Sequence, residues 1–160
     1  DMMIHDFDMA RFLLGEDPVE VHAAGSCLVD PAIGAAGDID TAMVTLRTAS
    51  GTLCQINNSR RATYGYDQRI EVHGALGMLQ AANLPENFVT QAGSGGFTAA
   101  PNKHFFLERY EAAYLAEMTH FVTALDNGTM PAPGIDDGVA AQRLADAAAR
   151  SHETGVPVSL

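Results

Sequence analysis

The chain has 160 residues and a formal net charge of −11, with only nine lysine and arginine side chains. Proteins that bind nucleic acid need clustered basic side chains, so this composition excludes recognition of a phosphate backbone. No apolar run approaches the roughly 20 residues that cross a bilayer, so we expect no membrane interaction. Length and charge therefore predict one soluble domain over residues 1–160.

Two cysteines, Cys27 and Cys54, are too few for a disulfide framework. Their spacing and that of the six histidines do not match a zinc site, so we expect no metal. Free thiols in turn predict a cytoplasmic location.

The chain opens with a predicted helix over residues 1–14. Met3, Phe7, Ala10 and Leu14 recur at helical spacing, and Gly15 is a suitable C-terminal cap. The pattern indicates one buried stripe along the helix.

Strand signals follow from residue 19 to about residue 77, where Val, Ile and Thr alternate with polar residues. The predicted strands are residues 19–22, 43–48, 52–57 and 69–73, with a short fifth strand at 78–80. Turn signals at Ser50-Gly51 and between Gly74 and Gly77 predict hairpins. Together these signals predict an antiparallel meander.

Residues 81–101 are rich in glycine and proline, which predicts a long loop with a short strand near Phe88 and Val89. Residues 93–96, Gly-Ser-Gly-Gly, lack the spacing and the strand-to-helix context of a dinucleotide-binding turn. We interpret them as a flexible loop.

Two helices and an edge strand are predicted to close the chain. The first helix covers residues 104–126 before Gly128, and the second covers 136–153, capped by Asp136 and ended by Gly155. Residues 156–158 are the predicted edge strand. One face of the first helix, predicted to pack in the core, carries Leu107, Tyr110, Tyr114, Met118, Phe121 and Leu125. This order of elements predicts an α+β fold, with an open-faced, mostly antiparallel sheet and helices packed on one face.

Asp1 and His5 are the first candidate catalytic pair. They lie four residues apart on the predicted helix, so both side chains project from one face. A carboxylate can orient an imidazole, whose ordinary pKa of about 6.5 suits a general base. The alternative is a simple ion pair whose acid also complements the helix dipole.

Several segments resemble the glucose-fructose oxidoreductase and inositol dehydrogenase family. The run from Asp1 to Gly15 resembles the segment that opens the second domain of these enzymes, and Tyr64-Gly65-Tyr66-Asp67 resembles their tyrosine-bearing turn. Residues 106–117 are similar to their long helix, and the Pro131-x-Pro133 segment with the alanine-rich final helix is similar to their ending. The resemblance covers the whole chain and points to inositol among the polyols.

The resemblance implies that this chain is the C-terminal domain of a two-domain oxidoreductase. Asp1 and His5 would occupy the catalytic acid and histidine positions, with His5 as the general base. An N-terminal Rossmann domain, which is absent from this chain, would bind NAD, with NADP as the other possible cofactor. A lysine in a Glu-Lys-Pro motif would assist, but Lys103, the chain's single lysine, does not match that motif. We therefore expect residues 1–160 alone to be inactive, and the cofactor-binding residues stay unknown.

The same resemblance places Tyr64 and Tyr66 against the polyol substrate. A phenol can donate and accept hydrogen bonds to ring hydroxyls while its ring packs on the sugar. The alternative is an amphipathic hairpin entry with one tyrosine half-buried.

The resemblance thus implies the substrate-binding and catalytic-base half of an NAD-dependent dehydrogenase that oxidises a ring hydroxyl of inositol or a related cyclic polyol. The sequence also predicts a homo-oligomer that forms through the open sheet face. The alternatives are a noncatalytic oligomerisation or binding module and a dehydrogenase for another sugar.

Overall fold

The computed structural model describes residues 2–160, and Asp1 lies outside the described residues. The chain forms two compact units. The first contains the chain up to residue 61 together with residues 132–160, and the second contains residues 62–131. The single functional domain expected over residues 1–160 stays a prediction. Across residues 2–160, every helix is too short or too polar to cross a membrane.

The second unit is inserted between two parts of the first along the chain. The first unit begins with α1 (Met3–Leu14), β1 (Pro18–Ser26), α2 (Pro31–Ala35), β2 (Thr41–Thr48) and β3 (Leu53–Ser59). The second unit contains β4 (Ile70–Gly74), β5 (Gly77–Ala81), β6 (Thr90–Gly93), β7 (Gly96–Ala99), α3 (Phe106–Arg109) and α4 (Glu111–Asn127). The chain then returns to the first unit with α5 (Ile135–Thr154) and β8 (Val158–Ser159).

The first unit is built on a four-stranded antiparallel sheet in the order β3-β2-β1-β8. Alternate residues of β1 and β2 point to the same face, where Val21 and Leu46 are fully buried. Phe7 of α1 and Leu144 of α5 pack against them in one core cluster. Each such side chain contributes about 1.5–3 kcal/mol of burial free energy. The other face of the sheet is exposed, so the predicted open-faced α+β fold is confirmed.

Arg11 ties α1 to the start of α5. Its Nη1 lies 3.2 Å from Asp8 Oδ1 and 3.4 Å from Asp137 Oδ1, and its Nε donates to Asp17 at 2.6 Å. Asp137 also caps α5, because its Oδ2 accepts the amide of Gly134 at 2.8 Å. The predicted cap was Asp136, and this prediction is wrong because α5 begins one residue earlier than expected.

The hairpins of the second unit correct three predictions. Strand β4 pairs with β5 in a separate two-stranded sheet, so the predicted meander ends at β3. Residues 93–96 are not a loose loop but the turn between β6 and β7, where Gly93 pairs with Gly96. The short strand predicted near Phe88 and Val89 lies directly after them, because β6 begins at Thr90. A two-residue glycine-rich turn fixes the register more strongly than the weak apolar pattern before it.

The long helix predicted for residues 104–126 is also interrupted. It divides at Tyr110 into α3 and α4, and Gly128 ends α4 as expected. The predicted core stripe is not buried: Tyr114 is 45% exposed and Met118 is 62% exposed, whereas Ala124 is buried. Helical spacing identifies residues that share a face, but it does not supply the element that covers the face.

Asp40 is buried and holds the loop after β1. Its Oδ1 accepts the amide of Leu28 at 2.8 Å and the hydroxyl of Thr41 at 2.9 Å. Its Oδ2 accepts the amides of Val29 and Asp30 at 2.8 and 2.9 Å. Burial acts to raise the pKa of this carboxyl, but the amide hydrogen bonds outweigh it and hold the pKa well below its usual range.

We expect Asp40→Asn to lower the Tm at pH 7, because an amide cannot accept on both sides of this cluster. Since folding depresses the pKa of Asp40, its contribution is complete above the unfolded value of about 3.9 and is lost as the pH falls through the folded value. The Tm difference between wild type and variant should therefore shrink below about pH 4.

Thermal unfolding followed by circular dichroism between pH 3 and pH 8 measures this difference. The exposed Asp38→Asn change is the matched control, and it should leave the Tm within about 1 °C. A pH-independent deficit in Asp40→Asn would contradict the assignment of a buried, ionised carboxylate.

Candidate active site

His5 lies in the first turns of α1, on the side that faces away from the core. It is about 200° around the helix axis from buried Phe7, and its side chain is exposed. Its backbone amide donates to the carbonyl of Met2 at 3.3 Å. The imidazole is therefore accessible to a ligand. Its predicted partner, Asp1, lies outside the described residues, so the pairing stays a prediction.

The residue after His5 is bound to the sheet. Asn58 of β3 donates from Nδ2 to Asp6 Oδ2 at 3.1 Å and to the carbonyl of Asn57 at 3.0 Å. Its Oδ1 is buried and has no hydrogen-bond partner within residues 2–160. This contact fixes the start of α1 relative to β3, and with it the backbone of His5. Sequence reasoning missed Asn58 because a polar residue near the end of a strand does not reveal a partner on a distant helix.

Tyr64 and Tyr66 belong to one loop of the second unit, but they have different surroundings. Tyr66 is half-buried, and its ring packs edge-on against Tyr110, with 5.7 Å between centroids and 81° between planes. The Tyr64 side chain is 56% exposed, and its hydroxyl is hydrogen-bonded to Asp67. Tyr64 therefore offers its phenol to a ligand more directly than Tyr66 does.

Tyr64 also lines an open cleft of about 360 Å³ within the second unit. Glu86, Asn102 and His104 contribute to the lining, beside Thr63, Gly65 and Pro101. The volume lies within the range of small-molecule pockets, about 300–1,000 Å³. These polar side chains can donate and accept hydrogen bonds, which suits a ligand with several hydroxyls. Sequence reasoning missed Glu86 because it stands in a stretch interpreted as a loop, and it missed His104 because that residue begins a predicted helix whose buried face did not include it.

Asp67 is the best connected side chain of this loop. Arg69 donates to it from Nε at 2.7 Å and from Nη2 at 2.8 Å, and Asn83 donates from Nδ2 at 2.8 Å. The bonds from Arg69 contribute most, and with those from Tyr64 and Asn83 they outweigh burial and lower the pKa of Asp67 to about 2. Asp67 is therefore ionised at neutral pH.

The bond to Asp67 also acts on Tyr64. It raises the pKa of the Tyr64 phenol, with burial and the charge of Asp67 adding to the effect and Arg69 partly opposing it. The phenol is therefore protonated at neutral pH and suits a hydrogen-bonding role.

The site residues fall in different units, with His5 in the first and both tyrosines in the second. No group of three or more His, Cys, Asp or Glu side chains among residues 2–160 is arranged to hold a metal ion.

Comparison with known proteins identifies the family. The family model described as "Oxidoreductase family, C-terminal alpha/beta domain" matches residues 1–160. The chain belongs to this oxidoreductase family. An inositol 2-dehydrogenase of Rhizobium meliloti is 54% identical over 94% of the chain, which corresponds to 46% of that protein. A myo-inositol 2-dehydrogenase of Thermotoga maritima is 49% identical over the whole chain and 48% of its own length.

A solved structure within the same family agrees with the fold. The scyllo-inositol dehydrogenase of Lactobacillus casei, with bound NAD(H) and scyllo-inositol, superposes with a TM-score of 0.90 at 30% identity. The match covers 99% of this chain and 47% of that one. The chain therefore spans about half the length of the curated relatives it matches. The resemblance noted from the motifs is confirmed at the level of the family.

Gly65 shapes the tyrosine loop. Its φ is +109°, and a Cβ atom at this position would lie 2.8 Å from Asn102 Cβ and 2.9 Å from the Asn102 carbonyl oxygen. The next amide, of Tyr66, donates to the carbonyl of Lys103 at 2.9 Å. Close approach of the two segments therefore requires glycine.

We expect Gly65→Ala to lower the free energy of unfolding by at least about 1 kcal/mol, from backbone strain and the clash with Asn102. Hydrogen exchange at the Tyr66 amide should become faster, because the loop must move away from Lys103. Chemical denaturation and exchange mass spectrometry measure the two effects.

Gly95→Ala is the matched control, because no atom lies within 4 Å of its hypothetical Cβ. It should leave the exchange of Tyr66 unchanged. Equal behaviour of the two variants would show that the tyrosine loop is not held by this close approach.

Proposed function

We propose that this chain is the substrate-binding and catalytic-base half of an NAD-dependent dehydrogenase that oxidises a ring hydroxyl of inositol or a related cyclic polyol to a ketone. The observation that carries the proposal is the exposed His5 imidazole at the start of α1, in a chain that is 54% identical to an inositol 2-dehydrogenase. Two relatives with inositol in their names support this substrate class.

His5 is the proposed general base. Oxidation of an alcohol removes the hydroxyl proton as a hydride leaves the same carbon, and a neutral imidazole can take that proton near neutral pH. The bond between Asn58 and Asp6 supports this role, because it fixes the helix start that carries His5. Asp1 is the proposed partner that orients the imidazole and the reacting hydroxyl.

Tyr64 and Tyr66 are the proposed substrate-binding residues. Tyr64 lines the 360 Å³ cleft together with Glu86, Asn102 and His104, so several hydrogen-bonding groups meet there. A polyol can satisfy such a lining because each ring hydroxyl both donates and accepts. The half-buried ring of Tyr66 packs on Tyr110 and holds the base of the same loop.

NAD is the proposed hydride acceptor, with NADP as the other possibility. The glycine-rich run within residues 2–160, at positions 93–96, joins two antiparallel strands and not a strand and a helix, so it does not fit a dinucleotide. We therefore assign cofactor binding mainly to an N-terminal Rossmann domain of the whole protein. The Lactobacillus casei relative with bound NAD(H) supports NAD. We also infer a cytoplasmic location, to which the two free thiols, Cys27 and Cys54, are suited.

We expect His5→Ala in the full-length enzyme to lower kcat for myo-inositol oxidation at least about a hundredfold, the usual contribution of a general base. The KM for NAD should change little, because the change removes proton transfer and not cofactor binding. NADH absorbance in steady-state assays measures both.

His73→Ala is the control, because His73 is exposed and bonded to Glu71 on the β4–β5 hairpin. It should keep near-normal turnover. Near-normal turnover of His5→Ala would remove His5 from the mechanism, and a panel of cyclic and open-chain polyols would separate inositol from another sugar as substrate.

We further propose that two copies of the chain associate through the open face of the sheet in the first unit. Met43 is 57% exposed and Leu53 is 67% exposed on this face. Its charged residues Arg47 and Glu20 pair with each other at 2.8 Å, so the face is locally neutral in a chain of charge −11. A neutral, partly apolar face allows two acidic copies to meet with little repulsion.

Leu53→Asp should shift the full-length protein toward smaller oligomers, because a carboxylate would be buried at the contact. Leu115→Asp makes the same change at an exposed leucine of α4, where no effect is expected. Sedimentation velocity compares the two variants. If Leu115→Asp dissociates the protein and Leu53→Asp does not, the contact lies elsewhere.

A further inference from the structure

Asp67 shares its two carboxylate oxygens among three side-chain partners. Oδ1 accepts Arg69 Nε at 2.7 Å and Asn83 Nδ2 at 2.8 Å. Oδ2 accepts Arg69 Nη2 at 2.8 Å and is also bonded to the Tyr64 hydroxyl. The Asp67 side chain is only 16% exposed, although Arg69 and Tyr64 are both largely exposed. This carboxylate is therefore an internal hydrogen-bond acceptor of the tyrosine loop and is not presented to solvent.

The other partners of Asp67 determine the direction of its hydrogen bond with Tyr64. A carboxylate that is paired with a guanidinium and accepts from an amide carries no proton to donate. The bond must therefore run from the Tyr64 hydroxyl to Asp67, and it uses the single proton of the phenol. On its exposed side the Tyr64 oxygen then presents only a lone pair, so it can accept a hydrogen bond but cannot donate one.

Asn83 fixes the position of the Asp67 carboxylate. Its Nδ2 donates to Asp67 while its Oδ1 accepts the backbone amide of Gln68 at 2.8 Å. Both ends of this amide are thus fixed on the tyrosine loop, and its orientation cannot reverse without breaking a bond. Tyr64 cannot rotate away from Asp67 without leaving a charged acceptor short of a partner.

We propose that Asp67 is a positioning residue that fixes the Tyr64 phenol as a hydrogen-bond acceptor, so that the site selects polyols with a hydroxyl that donates to Tyr64. This inference rests on the proposed role of Tyr64 in substrate binding. It extends that role by stating which group donates and which accepts in the hydrogen bond between the substrate and Tyr64. A substrate with a fluorine or a methoxy group at the same ring position cannot donate, and the site discriminates against it.

Asp67→Asn directly tests whether Tyr64 acts as the hydrogen-bond acceptor. The new amide nitrogen is placed best toward Tyr64, because the retained oxygen must accept from Arg69 Nε and Asn83 Nδ2, and only the bond from Arg69 Nη2 is lost. Tyr64 would then accept from this nitrogen and offer its own proton outward. The variant keeps the size of the side chain but reverses the contact, so a change in ligand preference is separable from a loss of folding.

The experiment uses the full-length enzyme with myo-inositol and a set of analogues in which one hydroxyl at a time is replaced by fluorine. At one ring position, wild type should show a KM about 3- to 10-fold higher for the fluoro analogue than for myo-inositol, the effect of one hydrogen bond. Tyr64→Phe and Asp67→Asn should both lose this discrimination. Each should raise the KM for myo-inositol with a smaller change in kcat, and the double variant should be no worse than Tyr64→Phe.

Asp126→Asn, an exposed change on α4, is the control and should behave as wild type. If Tyr64→Phe leaves every KM unchanged, the substrate role of Tyr64 fails and the inference fails with it. If Tyr64→Phe removes the discrimination but Asp67→Asn retains it, the proposed function stands and the role of Asp67 is overturned. Multiplicative effects in the double variant, with equal Tm values, would also overturn it.

Discussion

Burial of one face of a four-stranded antiparallel sheet is the constraint on which the first unit depends. Val21 and Leu46 are inaccessible on that face, and Phe7 and Leu144 come from the two covering helices. Because α1 must present Phe7 to the sheet, the helical period sends His5 to the opposite side. The same burial leaves the second face of the sheet, with Met43 and Leu53, exposed. An accessible imidazole and an open face thus both follow from one packing arrangement.

Two carboxylates organise loops in the two units in the same physical way. Asp40 accepts three backbone amides and a hydroxyl in the first unit. Asp67 accepts three side chains in the second unit. Each is ionised because its hydrogen bonds favour the charged form by more than burial disfavours it. A charged acceptor with several donors fixes a loop without a large apolar core.

The two tyrosines of the candidate site are held in different ways within one loop. Gly65 allows the loop to approach Asn102, and the ring of Tyr66 packs on Tyr110. Tyr64 is thereby left on the cleft side, with its hydroxyl direction determined by Asp67. Packing holds one phenol and a charged hydrogen bond orients the other. Pre-organisation of this kind lowers the entropic cost of binding a ligand.

The sequence by itself determined the elements that depend on local periodicity and on turn residues. The strands 43–48 and 52–57, the glycine stops of α1 and α5, and the placement of His5 on a helix follow from neighbouring residues alone. Family motifs then identified the candidate residues, because such motifs record chemistry that a single pattern of spacing does not. The tertiary structure decided what depends on distant partners. The predicted core stripe at Tyr114 and Met118 is exposed, and Asp67 and Asn83 meet across a hairpin. Burial and hydrogen-bond direction are properties of pairs of segments, and no single segment of sequence encodes them.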